Sequence, residues 1–259
     1  MIPAIAAEWL KLRRSRLPWI TVAACTIGVA VGGLFMFIGM DPERARSLGL
    51  LGTKAQLATI DASWPGFLAL LAQICAIGGV FIFGLTMLWV FGREFADHTA
   101  KDLLALPTSR GTIVTAKFVV AVGWCVLLGV YLAAAGLIVG AVLRLPGFGV
   151  AVAAHGLGRM AVTALMTTAL TVTFGFAASA GRGYLPGVLA MMAAVFTAQV
   201  VAALGFGHWY PYSVPAIYSG VAGVGQPPVT AFGHAAVIGV AVLFWAWTMR
   251  WWNRTDHTR

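Results

Sequence analysis

Charged residues are scarce in this chain. Of its 259 residues only 10% are Asp, Glu, Lys or Arg, whereas 60% are hydrophobic and the mean hydropathy is +0.90. A soluble globular protein is usually about 25% charged and about 45–50% apolar. This scarcity excludes an ordinary soluble domain and predicts that lipid surrounds most of the chain.

Six long stretches contain no Asp, Glu, Lys or Arg at all, namely residues 19–40, 67–91, 118–143, 160–180, 184–204 and 231–249. Each is close to the roughly 20 apolar residues that a helix needs to cross a bilayer. The ten-residue alternation of a membrane barrel is missing, and the runs are rich in Ala, Leu, Val and Gly. We therefore predict an all-α membrane protein with six transmembrane helices, forming a single domain over residues 1–259.

Groups for catalysis and cofactor binding are also scarce. The three cysteines fall inside predicted spans, which argues against a disulfide framework. The five histidines are scattered, no Walker A sequence is present, and no predicted span contains an acid. These absences argue against ATP hydrolysis by this chain, a metal or catalytic site, and an ion-coupled transporter with charge relays in the bilayer.

The positive charges are unevenly distributed, which predicts the orientation. With six spans both termini lie on one side, together with twelve of the 17 Lys and Arg residues, whereas the other side has five: Arg44, Arg46, Lys54, Arg144 and Arg159. Cytoplasmic segments carry the excess of Lys and Arg. We expect a multi-pass cell-membrane protein with cytoplasmic termini, whose net charge of +9 follows from this placement and indicates no nucleic-acid partner.

The N-terminal segment suggests a helix lying at the membrane surface. Ile5, Trp9 and Leu12 recur at three- and four-residue steps, and the basic residues Lys11, Arg13 and Arg14 can reach lipid head groups. We expect Pro18 to end this helix before the first span. The alternative is that this segment is only a basic flank that orients the first span, which would explain the same pattern.

Residues 91–120 concentrate charge between the second and third spans. On a helix, Phe91, Phe95, Thr99, Leu103 and Leu106 share one apolar stripe, and the charged residues of positions 93–102 occupy the remaining surface. Asp97 precedes Lys101 by four residues, the favourable order for a surface ion pair. Pro107 ends the element, and Thr108 or Ser109 caps the next helix. This pattern predicts an amphipathic helix over residues 94–106 whose mixed-charge face docks a soluble protein; a solvated connecting loop is the alternative.

Polar and small residues inside the spans have two explanations. Thr163, Thr167 and Thr171 form a stripe, and Gln73 and Gln199 lie on other spans; these five either line a translocation path or hydrogen-bond within the helix bundle. The pairs Gly28/Gly32 and Gly136/Gly140 have G-x-x-x-G spacing, which allows close helix approach within the bundle or against a second copy.

The charged segment also resembles a known family. The sequence FGREFADHTAKDLLALPTSRGTIVTAK is similar to the segment between spans two and three of type-2 ABC exporter permeases, which have a Glu, a Thr, an LL…P…R run and a Lys at these places. GYLPG (residues 183–187) and WYPYSVPAIYSG (residues 209–220) resemble later segments of bacitracin- and lantibiotic-resistance permeases, although Tyr210-Pro211-Tyr212 stands where FPW is common.

The resemblance implies a permease subunit that moves an amphipathic or hydrophobic substrate, such as a peptide antibiotic, a drug or a lipid-like molecule. It also implies a second permease, surrounding membrane lipids and a separate ABC ATPase subunit that binds ATP and Mg²⁺, this chain having no cofactor of its own. The ATPase would grip a coupling segment comprising Arg93, Glu94, Asp97, His98, Thr99, Lys101, Asp102, Leu103, Pro107, Arg110 and Lys117. A membrane scaffold or sensor that recruits a different cytoplasmic protein is the alternative function.

Overall fold

The structure is a computed structural model that describes residues 1–49, 61–105, 107–221 and 227–254. All regular elements in this part of the chain are helices. In order they are α1 (Ile2–Arg14), α2 (Leu17–Met40), α3 (Pro42–Ser47), α4 (Trp64–Ala96), α5 (Ala100–Leu104), α6 (Arg110–Val142), α7 (Val150–Ala180), α8 (Tyr184–Ala203), α9 (Val214–Ser219) and α10 (Ala231–Arg254). The sequence-based assignments to Lys54, Leu106 and Arg259 fall outside the described residues.

Six of these helices, α2, α4, α6, α7, α8 and α10, are long and apolar enough to cross a membrane. The predicted all-α class and the number of spans are confirmed. Several helices nevertheless begin or end beyond the predicted windows. The reason is that the helix continues through the charged residues that limited those windows, namely Arg93, Lys117 and Arg159. At 33 residues, α4 and α6 are each about 50 Å long and extend past a hydrocarbon core of about 30 Å.

The predicted N-terminal helix is present, but its end differs from our prediction. It is α1, and it stops at Ser15, whose amide and hydroxyl both donate to the carbonyl of Leu12. Pro18 does not end it and instead lies in the first turn of α2. Proline is tolerated there because the first amides of a helix have no partner within the helix.

The centre of the bundle is the contact between α4 and α7. Glycines on both helices allow it: Gly79 lies against Thr167, Gly84 against Phe174, and Gly175 against Phe91. Of the six spans α7 is the most buried, whereas α8 and α10 are the least. The α4–α7 pair is therefore the core to which the other spans attach.

The two G-x-x-x-G pairs pack within the chain. Gly28 and Gly32 on α2 meet Ile74, while Gly140 on α6 faces the ring of Trp64. Both partners belong to α4, so small residues bring two neighbouring helices against it. The cysteines Cys25, Cys75 and Cys125 are free and buried in the same apolar cluster.

Part of the aromatic segment after α8 also packs on the bundle. It forms the short helix α9, where Val214 is fully buried with Met166, Leu170 and Val237. Ser213 precedes α9 and donates its hydroxyl hydrogen to the carbonyl of Gly207 at 2.6 Å. The segment is thus held against α7 and α10.

Three long helices end in the same way, with a basic residue in the left-handed region. His98, Arg144 and Arg182 have φ values of 58°, 54° and 56° and follow the ends of α4, α6 and α7. After α4, the Thr99 amide donates to the Glu94 carbonyl and the His98 amide to that of Phe95. These paired bonds define the Schellman motif, in which glycine is the usual left-handed residue.

The close approach of α6 to α4 can be tested at Gly140. A Cβ atom there would lie 2.6 Å from the buried ring of Trp64, so we expect Gly140→Ala to destabilise the protein by about 1–3 kcal/mol through overpacking. The measurement is the thermal midpoint of the detergent-purified chain. Gly123→Ala on the same helix is the matched control, because nothing lies within 4 Å of its Cβ position. Equal midpoints for the two variants would contradict the tight contact.

Candidate functional site

Four charged side chains from three helices form a closed ring of alternating sign, which we call the charge ring. Lys11 Nζ lies 2.7 Å from Glu8 Oε1 and 2.8 Å from Glu94 Oε1. Lys117 Nζ lies 3.0 Å from Glu8 Oε2 and 2.8 Å from Glu94 Oε1. Each ammonium therefore bridges both carboxylates, and the four formal charges sum to zero.

The ring joins the ends of three helices. Glu8 and Lys11 lie one turn apart on α1, Glu94 is in the last turn of α4, and Lys117 is two turns into α6. Ser109 begins α6, its hydroxyl accepting from the amide of Thr112 at 3.2 Å. The ring consequently connects the N-terminal helix to both helices that flank the 97–109 segment, which we call the junction.

Burial makes this arrangement sensitive to the loss of any member. Glu8, Glu94 and Lys117 are all buried, with Lys117 fully so. Two further bonds complete the ring, because Thr99 donates its hydroxyl hydrogen to Glu94 Oε2 at 2.7 Å and Lys117 donates to the Val90 carbonyl at 3.2 Å. A buried charge is tolerated only when it is paired and hydrogen-bonded in this way.

The ring also holds Lys11 in its charged form. Burial alone lowers the pKa of this residue, but the charge of Glu8 and the hydrogen bonds from Lys11 to Glu8 and Glu94 outweigh it and raise the pKa above the ordinary lysine value. The ammonium is stabilised as a result, and its contribution to stability is present at neutral pH and lost only as the pH rises through this raised pKa.

The junction differs from the continuous amphipathic helix that we predicted over residues 94–106. The Schellman motif ends α4 at Ala96, and a turn over positions 97–99 precedes α5, which spans only Ala100–Leu104. Glu94 is accordingly not on a solvated face; it belongs to a membrane helix and points into the charge ring. The predicted Asp97–Lys101 pair is replaced, since Arg93 Nε contacts Asp97 Oδ2 at 3.0 Å.

The remaining predicted coupling residues divide between surface and bundle. Leu103 is half-buried and packs with the cluster that contains Phe91 and Trp252, while the guanidinium of Arg110 donates to the Trp252 carbonyl at 3.2 Å. The residues that face outward are Asp97, His98, Thr99, Lys101, Asp102 and Pro107. Lys117, like Glu94, is internal. The structure thus separates an exposed layer from a buried charged layer directly beneath it.

A groove of about 590 Å³ borders this exposed layer. Its walls include Leu10 and Arg14 of α1, Trp89 and Arg93 of α4, and Tyr184 at the start of α8. The Arg93 guanidinium lies 5.0 Å from the centre of the Trp89 ring. The groove joins α1 to the junction on the surface, as the charge ring does inside.

The candidate path residues occupy different surroundings. Thr163, Thr167 and Thr171 are buried, and each hydroxyl bonds to a carbonyl of its own helix at 2.7–2.9 Å. Gln199 is exposed and lines a cavity of about 240 Å³ between α4, α8 and α9, whereas Gln73 is half-buried on α4. The role of these five residues in translocation stays a prediction.

Glu8 is the one ring member that our sequence analysis did not single out. It is the only acid in the first 40 residues, and it lies three residues after Ile5 and four before Leu12, on the apolar stripe of α1. An acid on an apolar stripe indicates a buried cationic partner, and this was the available signal.

Comparison with known proteins identifies the family. The family model described as ABC-2 family transporter protein matches residues 4–200. The chain belongs to this family. It is also 25% identical over 179 residues to the bacitracin transport permease protein BCRB of Bacillus licheniformis, a match that covers 69% of this chain and 85% of that protein.

The match confirms the resemblance inferred from the junction and later segments. An ABC-2 transport permease with six apolar helices is a multi-pass membrane protein. The matched residues 4–200 include Glu8 and Lys11 of α1, the junction and Lys117. The charge ring of this permease therefore lies wholly within the part of the chain that defines the family.

Disruption of the ring should be strongly destabilising. Lys117→Met leaves two buried carboxylates with Lys11 alone, so we expect a loss of about 3–5 kcal/mol, measured by thermal unfolding of the purified permease. Adding Glu94→Gln removes one of those carboxylates, and the double variant should be more stable than the sum of the single effects predicts.

The control for this prediction is Asp97→Asn, which breaks an exposed ion pair one turn away. Such pairs contribute about 0.2–1 kcal/mol, so this variant should unfold close to the wild type. A Lys117→Met variant as stable as Asp97→Asn would show that the ring does not stabilise the fold.

Proposed function

We propose that this chain is the membrane-spanning permease subunit of an ATP-driven ABC exporter. Residues 1–259 would form one permease domain with both termini in the cytoplasm, and ATP hydrolysis would occur in a separate ABC ATPase subunit that holds ATP and Mg²⁺. The observation that carries the proposal is the junction, where an exposed charged helix lies directly above a buried ring that links three helices.

The layered junction suits the transfer of a mechanical load. A docked protein that pushed on an isolated loop would only bend it. Here α5 follows Thr99, whose hydroxyl and amide are both bonded to Glu94, and Glu94 is bonded in turn to α1 and α6. Movement of α5 would therefore displace the helix ends together.

The chemistry of the exposed layer favours a soluble protein as the partner. Asp97, Lys101 and Asp102 give it charges of both signs, and the exposed His98 adds a hydrogen-bonding group. Anionic lipid would be repelled by the two acids, whereas a protein surface can match both signs. The groove along α1 and Trp89 extends the same surface.

The arrangement of the termini supports the proposed orientation. Trp252, near the end of α10, packs on Phe95, and its carbonyl bonds to Arg110 at the start of α6. The end of α10 therefore lies at the same end of the bundle as α1 and the junction. The predicted excess of Lys and Arg falls at this end, which favours a cytoplasmic location.

A second permease, identical or related, is part of the proposal. The spans α8 and α10 are the least covered within one chain, and α8 exposes Leu185, Leu189 and Phe196. These apolar faces suit lipid or a neighbouring permease.

The proposed substrate is amphipathic or hydrophobic, in the class of peptide antibiotics, drugs and lipid-like molecules. The similarity to a bacitracin transport permease supports this class, since that protein is named for a peptide antibiotic. Gln73, Thr163, Thr167, Thr171 and Gln199 are the proposed path residues. In the described conformation all three threonines are buried and Thr167 packs against Gly79 of α4, so a path past Thr167 would require α4 and α7 to separate.

The first experiment tests docking of an ATPase. The tagged full chain is purified in mild detergent from its native host, and co-purifying ATPase activity is measured. We expect the wild type to recover ATPase and Lys101→Glu to recover several-fold less, because this change reverses an exposed charge on α5 without touching the charge ring.

Arg44→Glu is the matched control, since it makes the same charge change on α3, at the opposite end of α2 from α1. It should recover ATPase like the wild type. Equal recovery by Lys101→Glu would refute docking at α5. Recovery of a protein without ATPase activity that Lys101→Glu loses would favour a membrane scaffold or sensor.

A further inference from the structure

A second groove, far from the junction, lies between the beginnings of α4 and α7. It has a volume of about 410 Å³ and is lined by Pro65, Leu68, Val152, His155, Gly156 and Arg159. Leu68 packs directly against Gly156, so this glycine allows the two helices to meet beside the groove. The volume is in the range of small-molecule sites.

Arg159 is the unusual residue of this groove. It lies nine residues inside α7, about 14 Å along the helix, in a span that has no other charged residue. Its guanidinium has no hydrogen-bond or ion-pair partner within the described residues. Asp61 packs over Gly66 at the start of α4, and no ion pair joins it to Arg159. A cation within a membrane-spanning helix is costly unless it reaches a partner, which makes Arg159 a candidate for function.

His155 adds a second donor on the same side of the helix. It precedes Arg159 by four residues, so the two side chains are neighbours on the surface of α7. A neutral imidazole has one N–H donor and a protonated one has two, so His155 donates in either state. Together these residues supply several N–H groups at one edge of an otherwise apolar groove.

We propose that the α4–α7 groove binds an anionic phospholipid. The phosphate would accept hydrogen bonds from Arg159 and His155, because a guanidinium presents paired donors that match phosphate oxygens. The start of an acyl chain would lie against Leu68 and Val152. This site is separate from the junction, and its existence does not depend on whether the chain exports a substrate.

The position of the groove on α4 and α7 gives the lipid a specific place. The same stripe of α7 continues from Arg159 to the buried Thr163, whose hydroxyl bonds to the Arg159 carbonyl at 2.9 Å. A lipid in the groove would thus contact both members of the central helix pair. If Arg159 merely extended to the nearest head group, it would attract anionic lipid by only about 1 kcal/mol, and an exposed arginine such as Arg44 would do so equally.

The test measures lipid retention by the purified full chain in detergent, using native mass spectrometry. Dioleoyl phosphatidylglycerol is compared with dioleoyl phosphatidylcholine. We expect the wild type to retain phosphatidylglycerol in preference, and Arg159→Gln to bind it about tenfold or more weakly, the size expected for losing a charge-assisted hydrogen bond. Arg159→Lys keeps the charge and should retain part of the preference.

Arg44→Gln is the control, because it removes an exposed arginine outside the groove near the same end of the bundle. It should bind like the wild type, and all variants should have wild-type thermal midpoints. Equal retention of both lipids, or no effect of Arg159→Gln, would overturn the proposal. So would competition by inorganic phosphate at equal concentration, since that would indicate an ion site without a lipid.

Discussion

Four charges that must remain together, three of them buried and the fourth half-buried, constrain the end of this bundle. The four residues Glu8, Lys11, Glu94 and Lys117 come from three helices. Each ammonium contacts both carboxylates, so the loss of any one residue leaves the others incompletely paired. In a medium of low dielectric the cost of an unpaired member exceeds the contribution of most apolar contacts. The helix ends therefore keep one relative position, and α5 and the N-terminal helix take their places from it.

Small residues that face α4 are a second constraint, and they determine how closely the other spans pack against this helix. Gly79 and Thr167 meet in the α4–α7 contact, Gly32 admits α2, and Gly140 admits α6. Association of helices in lipid depends on such close packing, because lipid chains are as apolar as the side chains they replace. The polar ring and the glycine contacts thus act on the same helix, one at its end and the other along its length.

The parts of the fold that depend on local composition could be predicted, and those that depend on distant partners could not. Windows without charged residues located all six spans, because each span must be long and apolar enough to cross the bilayer whatever its partners are. Periodicity around Glu94 suggested a solvated face because its partners Lys11 and Lys117 are 83 and 23 residues away. We did not predict the end of α4, because His98 takes the left-handed conformation there in place of the glycine that usually marks a helix end. The sequence therefore identified the junction as the candidate site, but it did not show the charge ring beneath the junction.

The length of α4 has a consequence of its own. It runs without interruption from Trp64, which is seated on Gly140, to Glu94 in the charge ring, a distance of about 45 Å. The one proline between these residues, Pro65, lies in the first turn of the helix, where it replaces an amide that has no partner within the helix and does not bend it. Because α4 has buried contacts at both ends, we expect a displacement of one end to be transmitted along the helix to the other. The single helix α4 thus links the contact with Gly140 at one end of the bundle to the charge ring at the other.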